Sequence, residues 1–246
     1  MSVKDYFSAA SADYRRFRPG YPGELFEFLA AAAPSRRVAL DVATGNGQAA
    51  GAMARHFELV LAGDPSANQL KEAAPHERVH YVRHAAERLP VRTGAADLLA
   101  VAQAAHWFDF PPFYSEARRV LRPNGIVALW TYSLFRVDAA VDAAVERFYR
   151  DRVGAYWPPE RRYVDEHYRS LPFPLEELPA PGFELNVDWP LEALMSYIGT
   201  WSAVGRCRGA TGVDPVPELA GALRAGWPAG AIRAIRFPIH LRIGRV

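Results

Sequence analysis

One cysteine, Cys207, is the only thiol in this chain of 246 residues. An intrachain disulfide is therefore excluded, as is a thiolate cage for zinc or an iron–sulfur cluster, so no metal site is expected and a reducing, cytoplasmic setting fits best. Lysine is almost as scarce, with Lys4 and Lys71 alone. Charge of one sign is missing too: 29 basic and 27 acidic residues leave a formal +2, without a like-charge run long enough for a polybasic arm. Nucleic acid is accordingly not an expected partner. Nor is a membrane, because the longest apolar runs, 29–33 and 98–102, fall far short of the roughly 20 residues a bilayer span needs. Residues 1–18 mix Lys4, Asp5, Asp13 and three arginines with aromatics and lack the apolar core of a signal peptide.

What is present is a chain half of whose residues are hydrophobic, enough to bury one full core. Short apolar runs at 37–42, 59–64, 79–83, 97–103 and 126–132 read as strands. Segments 22–32, 48–56, 66–73, 112–121 and 137–152 carry apolar residues at three- and four-residue spacing and read as helices. That alternation predicts an α/β class domain, a Rossmann-like, mostly parallel sheet with helices on both faces. Prolines 158, 159, 172, 174, 179 and 181 then interrupt regular structure, so 154–181 reads as an irregular insertion or cap. Regularity returns at 183–189, in a helix from 191 to about 204 and in a short helix at 218–224. The period-two series Ile235, Phe237, Ile239, Leu241, Ile243 predicts a closing antiparallel strand. The expected organisation is a single domain over 1–246: an N-terminal segment at 1–22, a core at 23–153, the cap at 154–181, and 182–246 completing the sheet.

The loop Ala43-Thr44-Gly45-Asn46-Gly47 runs from the first strand into a helix. Gly45 and Gly47 allow a tight turn and close backbone approach, and the free N–H groups at the helix start favour an anion. Asp41, just before the loop, would compensate an ammonium, so a zwitterionic ligand suits both signs. The second strand ends in Asp64, about 20 residues past the glycines, where sheets of this type hydrogen-bond a ribose. Asp64 also suits an N-cap for the helix near Ser66, with Pro65 at its start. Gly45 to Ala50 satisfies the dinucleotide fingerprint as well, which makes a nicotinamide oxidoreductase the rival reading. Three features oppose it: Asp41 would face a pyrophosphate, a helix precedes the first strand, and no tyrosine–lysine catalytic pair exists.

With these acids and glycines in place, the sequence resembles the class I S-adenosylmethionine-dependent methyltransferases of the type 11 group. Tyr6-Phe7-Ser8 with Tyr14, Arg18-Pro19-Gly20-Tyr21-Pro22, Gln103 to Asp109 and Val120 to Gly125 are similar to the trans-aconitate methyltransferase-like branch. The resemblance implies S-adenosylmethionine as cofactor and a small-molecule methyl acceptor, with a carboxylate as one acceptor chemistry. A non-catalytic S-adenosylmethionine-binding protein is the other alternative. The resemblance also implies that 23–153 is the cofactor-binding core and that 1–22 folds over the cofactor as a lid, with cofactor contacts at Asp41, Ala43, Thr44, Gly45, Gly47, Asp64, Pro65, Ala86, Glu87 and Gln103, and at Tyr14 and Arg18 in the lid. The sequence departs from the family at Ala43, where the leading glycine usually stands, and at Ala85, where many relatives carry an aspartate. Gln103 and His106, emerging from the fourth strand, are the candidates for the reacting end, His106 as an optional base. Trp107, Tyr132, Trp201 and Arg206 are candidates for the acceptor wall.

Overall fold

Unbroken aliphatic runs become the strands at the centre of the sheet, because a strand covered on both faces has no polar side to display. The structure, a computed structural model, describes residues 20–246. Its strands are β1 (Val38–Val42), β2 (Leu59–Asp64), β3 (Val79–Arg83), β4 (Ala96–Ala102), β5 (Leu121–Tyr132), β6 (Glu176–Leu178), β7 (Phe183–Pro190) and β8 (Ile232–Arg245). They line up in the order β3-β2-β1-β4-β5-β8-β6, and β7 also pairs with β8. All pairings from β3 to β5 are parallel; β8 runs antiparallel to β5, β6 and β7. The predicted α/β sheet with an antiparallel last strand is thus what forms.

Alternation along the central strands feeds two cores. Leu98, Ala100, Ile126, Ala128 and Trp130 pack on one face. Leu99, Val101, Val127 and Leu129 pack on the other. The helices α1 (Gly23–Ala32), α2 (Gln48–Met53), α3 (Ala67–Lys71), α4 (Phe110–Val120) and α5 (Ala139–Arg147) fall where the sequence spacing put them, most of them a few residues shorter than predicted. At the amino ends of β1, β4 and β5, fully buried Asp97 accepts from the Ser35 hydroxyl and from the amides of Arg37 and Val38, and sits 2.9 Å from Arg122. This knot locks the end of the sheet opposite the glycine loop, leaving the carboxyl end free for other work.

Three segments differ from the sequence expectation. The helix predicted from 191 to about 204 is two helices, α7 (Leu191–Gly199) and α8 (Ser202–Thr211), because Trp201 takes an extended backbone (φ −66°, ψ 135°) as the cap of the second. The helix of 137–152 widens after Arg147 into a π-helical turn, Phe148–Arg152. Within the segment expected to be irregular, α6 (Arg161–Asp165) forms, and β6 pairs with β8 from Glu176 opposite Arg245 to Leu178 opposite Ile243. Three residues carry too little periodicity to be read as a strand; the long partner β8 supplies the template. The last helix, α9 (Val216–Arg224), matches expectation closely.

Candidate active site

Strand order reverses between β1 and β4, and in open α/β sheets ligands lie outside the carboxyl ends at such a point. Both strands there end in a non-glycine residue with left-handed backbone, Ala43 (φ 57°) and Gln103 (φ 57°). Each such residue costs about 1–2 kcal/mol, a strain that clusters at functional sites. Ala43 therefore adopts a conformation that favours glycine, so the loop keeps its turn at an energetic cost. Gly45 (φ 57°) and Gly47 (φ 83°) continue the turn without that penalty.

The loop is tied down by its own acids. Thr44 donates its hydroxyl to Asp41 Oδ2 (2.5 Å) and its amide to the Gly63 carbonyl (2.9 Å). Asp64 accepts the Gly45 amide at Oδ2 (3.0 Å) and the Ser66 amide at Oδ1 (2.8 Å). The cap of α3 is Ser66, whose hydroxyl accepts from Gln69, and not Asp64. Asp41 is fully buried, and its second oxygen, Oδ1, makes no well-formed hydrogen bond among the described residues. Burial pushes its carboxyl up to about 7, against the pull of the Thr44 hydroxyl and the Ala50 amide and with a smaller push from Asp64. Pro65 follows Asp64 and gives its carbonyl to Arg83; Ala86 is buried, and Glu87 accepts the Asp109 amide (3.3 Å). Tyr14 and Arg18 lie outside the described residues.

At the end of β4, the Gln103 amide nitrogen of the backbone donates to the Trp130 carbonyl, while its side chain accepts from Thr131 (2.6 Å) and donates to the Tyr132 carbonyl (3.2 Å). Among the described residues, its second side-chain N–H has no partner. A single 3-10 turn, Ala105–Trp107, then carries His106 into the interior. Its Nδ1 shares a 2.9 Å hydrogen bond with the hydroxyl of fully buried Tyr168. His167 (φ 58°) and Tyr168 (φ 60°) are both left-handed, so strained backbone delivers that hydroxyl. Burial, assisted by the positive charge of Arg161, pulls the imidazole down to about 3, so it is neutral at physiological pH. Tyr168→Phe removes the tether and leaves Nδ1 buried without its partner; the expected loss is about 1–3 kcal/mol of stability, read by chemical denaturation.

Gln103, His106, Trp107 and Tyr132 line one cavity of about 60 Å³, which Trp157, Arg161, Tyr197 and Trp201 help to close. Sequence reasoning placed the first four and Trp201 at the reacting end or acceptor wall. Arg206 is elsewhere, with its guanidinium 3.5 Å from the Tyr156 carbonyl, and does not line the cavity. Arg161 and Tyr168 were not singled out, because nothing local marks them: Tyr168 meets His106 across 62 residues of chain. Among the described residues no helix is long and apolar enough to cross a membrane, and no group of three metal-ligating side chains exists.

Residues 40–129 match the family model of the methyltransferase domain. A Dictyostelium discoideum protein with a provisional methyltransferase name is 31% identical, over 98% of this chain and 95% of its own length. An uncharacterized methyltransferase of Mycobacterium tuberculosis is 37% identical over half of each chain. Among solved structures, one from Anaeromyxobacter dehalogenans, provisionally described as a type II methyltransferase, superposes with a TM-score of 0.88 at 46% identity, covering 93% of this chain and 98% of its own. Similarity that runs the length of the chain, on the sheet and loop described above, makes this protein a member of the methyltransferase family.

Proposed function

We propose that the protein transfers a methyl group from S-adenosylmethionine to a small-molecule acceptor in the cavity beside His106, with a carboxylate oxygen as the receiving atom. The observation that carries this reading is the end of β4, where strained Gln103 adjoins the glycine-loop side of the sheet and also lines the aromatic cavity.

The residues present suit that cofactor. Asp64 closes the strand from which a carboxylate takes ribose hydroxyls, Asp41 holds a buried acid with an oxygen to spare for an ammonium, and the positive φ values at 43, 45 and 47 keep the loop close-fitting. Bound S-adenosylmethionine supplies a methyl on a sulfonium: transfer forms one O–C bond, breaks one S–C bond, leaves the electron pair on sulfur and, with a carboxylate acceptor, releases no proton. The chain then has only to align and to exclude water. Gln103, fixed from two sides by β5, aligns; Trp107, Trp157 and Trp201 exclude water. A carboxylate acceptor needs no base, which agrees with a histidine held neutral and at about 3, far too weak to deprotonate a hydroxyl.

Methyl-labelled S-adenosylmethionine, incubated with the protein and separate panels of small carboxylic acids, amines and phenols, tests this. The expected product is an ester whose label mild alkali releases as methanol. Label that survives alkali on an amine or phenol would contradict the carboxylate, and no transfer to any class would contradict turnover.

A further inference from the structure

We propose that Arg161 is the acceptor-recognition residue of this cavity, its outer guanidinium edge receiving an anionic group of a small planar acid; the proposal rests on reading the cavity as the acceptor site. Arg161 is the one charged side chain among the described residues that line it. Its inner edge is occupied: Nε donates to the Tyr149 hydroxyl (2.7 Å) and lies 3.3 Å from Asp165 Oδ1. Its outer edge is not, for among the described residues neither Nη nitrogen has a hydrogen-bond partner. A guanidinium that donates from one edge and leaves the paired nitrogens of the other unsatisfied presents the fork that matches a carboxylate bidentately.

The group is also held still. Its carbon lies 4.4 Å from the centre of the Trp157 ring and 5.3 Å from that of Tyr149. Trp157 is packed in turn between Tyr149 (4.9 Å) and Trp201 (5.8 Å), and its indole N–H points to the Tyr149 carbonyl (3.4 Å). Asp165 pairs with the Nε edge and does not line the cavity that Arg161 lines, so its carboxylate is not among the groups an acceptor would meet there. Burial, together with the positive charge of Arg161, keeps His106 neutral, so the guanidinium is the single cation facing the anion. A small aromatic enclosure with one fixed fork discriminates sharply, since a neutral isostere leaves both donors unpaired out of water.

The distinguishing experiment is calorimetry on the full protein saturated with S-adenosylhomocysteine. Propionate and benzoate are titrated against their neutral isosteres propionamide and benzamide, into the native protein, Arg161→Gln and Arg161→Lys. At least one acid should bind tenfold or more tightly than its amide in the native protein. Arg161→Gln should abolish that preference, Arg161→Lys should retain part of it, and both variants should keep S-adenosylhomocysteine affinity within about twofold, which also certifies their fold. Equal binding of acid and amide, failure of both acids to bind the native protein, or a preference that survives Arg161→Gln would overturn the proposal. Failure of S-adenosylhomocysteine to bind the native protein would instead sink the methyl-transfer reading, and the acid-over-amide comparison, repeated without it, still decides the role of Arg161.

Discussion

Asp64→Ala should weaken S-adenosylmethionine binding by about two orders of magnitude and leave the sheet intact. A carboxylate that accepts both ribose hydroxyls contributes charge-assisted bonds of about 1.5–3 kcal/mol each, and losing about 3 kcal/mol in total is roughly 100-fold in affinity. The side chain is at a strand end and accepts from the loop amides of Gly45 and Ser66, so its removal loosens the loop more than the sheet. Asp64→Asn keeps an oxygen for one of those amides and should lose less, about tenfold. Isothermal titration gives the affinities and a thermal melt reports the fold. An unchanged dissociation constant in Asp64→Ala with an intact melt would remove Asp64 from the cofactor site.

Asp41→Asn should do two things of opposite benefit: stabilise the ligand-free protein at pH 8 and weaken cofactor binding. The folded carboxyl titrates near 7 because burial disfavours its charge, whereas its ordinary value is 3.8. Between pH 4 and 7 the folded chain therefore holds a proton that the unfolded chain releases, and stability falls as pH rises through this window, remaining low above it. A shift of this size corresponds to an upper bound of about 4 kcal/mol, of which roughly 2–3 kcal/mol is a realistic return when the charge is removed. His106 works in the other direction, since the unfolded imidazole takes up a proton below 6.5 that the buried one refuses until about 3. His240, held down to about 4 by burial, acts in the same sense as His106, so native stability from pH 8 to pH 5 sets Asp41 against such histidines, and the Asp41→Asn profile isolates the first. The variant should be more stable than native at pH 8, with the advantage shrinking towards pH 5. Equal stability at both pH values would show that Asp41 is not a buried charge in the ligand-free fold. Cofactor affinity should fall in the same variant, because a neutral amide no longer compensates the ammonium.

Much of this was legible in the sequence. The run 59–64 coincides with β2, and 97–103 with β4 to within a residue, because a strand covered on both faces writes itself as a largely aliphatic stretch. The glycine loop was legible for a related reason: a backbone that must turn left-handed narrows the choice of residue. Ala43 tests that logic, since it takes the glycine conformation without being glycine, and in the sequence it stands out only through the resemblance to the methyltransferases. The cap was the least legible part. Its proline-rich segment hides β6, which exists only because β8 extends far enough to pair with it. Arg161 likewise looked like any surface arginine, and becomes distinctive only when Tyr149, Trp157 and Asp165 surround it in three dimensions.

The most direct measurement on the central claim is calorimetric titration of the purified protein with S-adenosylmethionine, S-adenosylhomocysteine, NAD and NADP in parallel. The glycine loop satisfies both ligand classes in one dimension, and the buried Asp41 beside it, suited to an ammonium and hostile to a pyrophosphate, is what separates them. Saturable binding of the first two ligands with none of the dinucleotides is the predicted result. Binding of a dinucleotide, with no heat from either sulfonium or thioether ligand, would contradict the account.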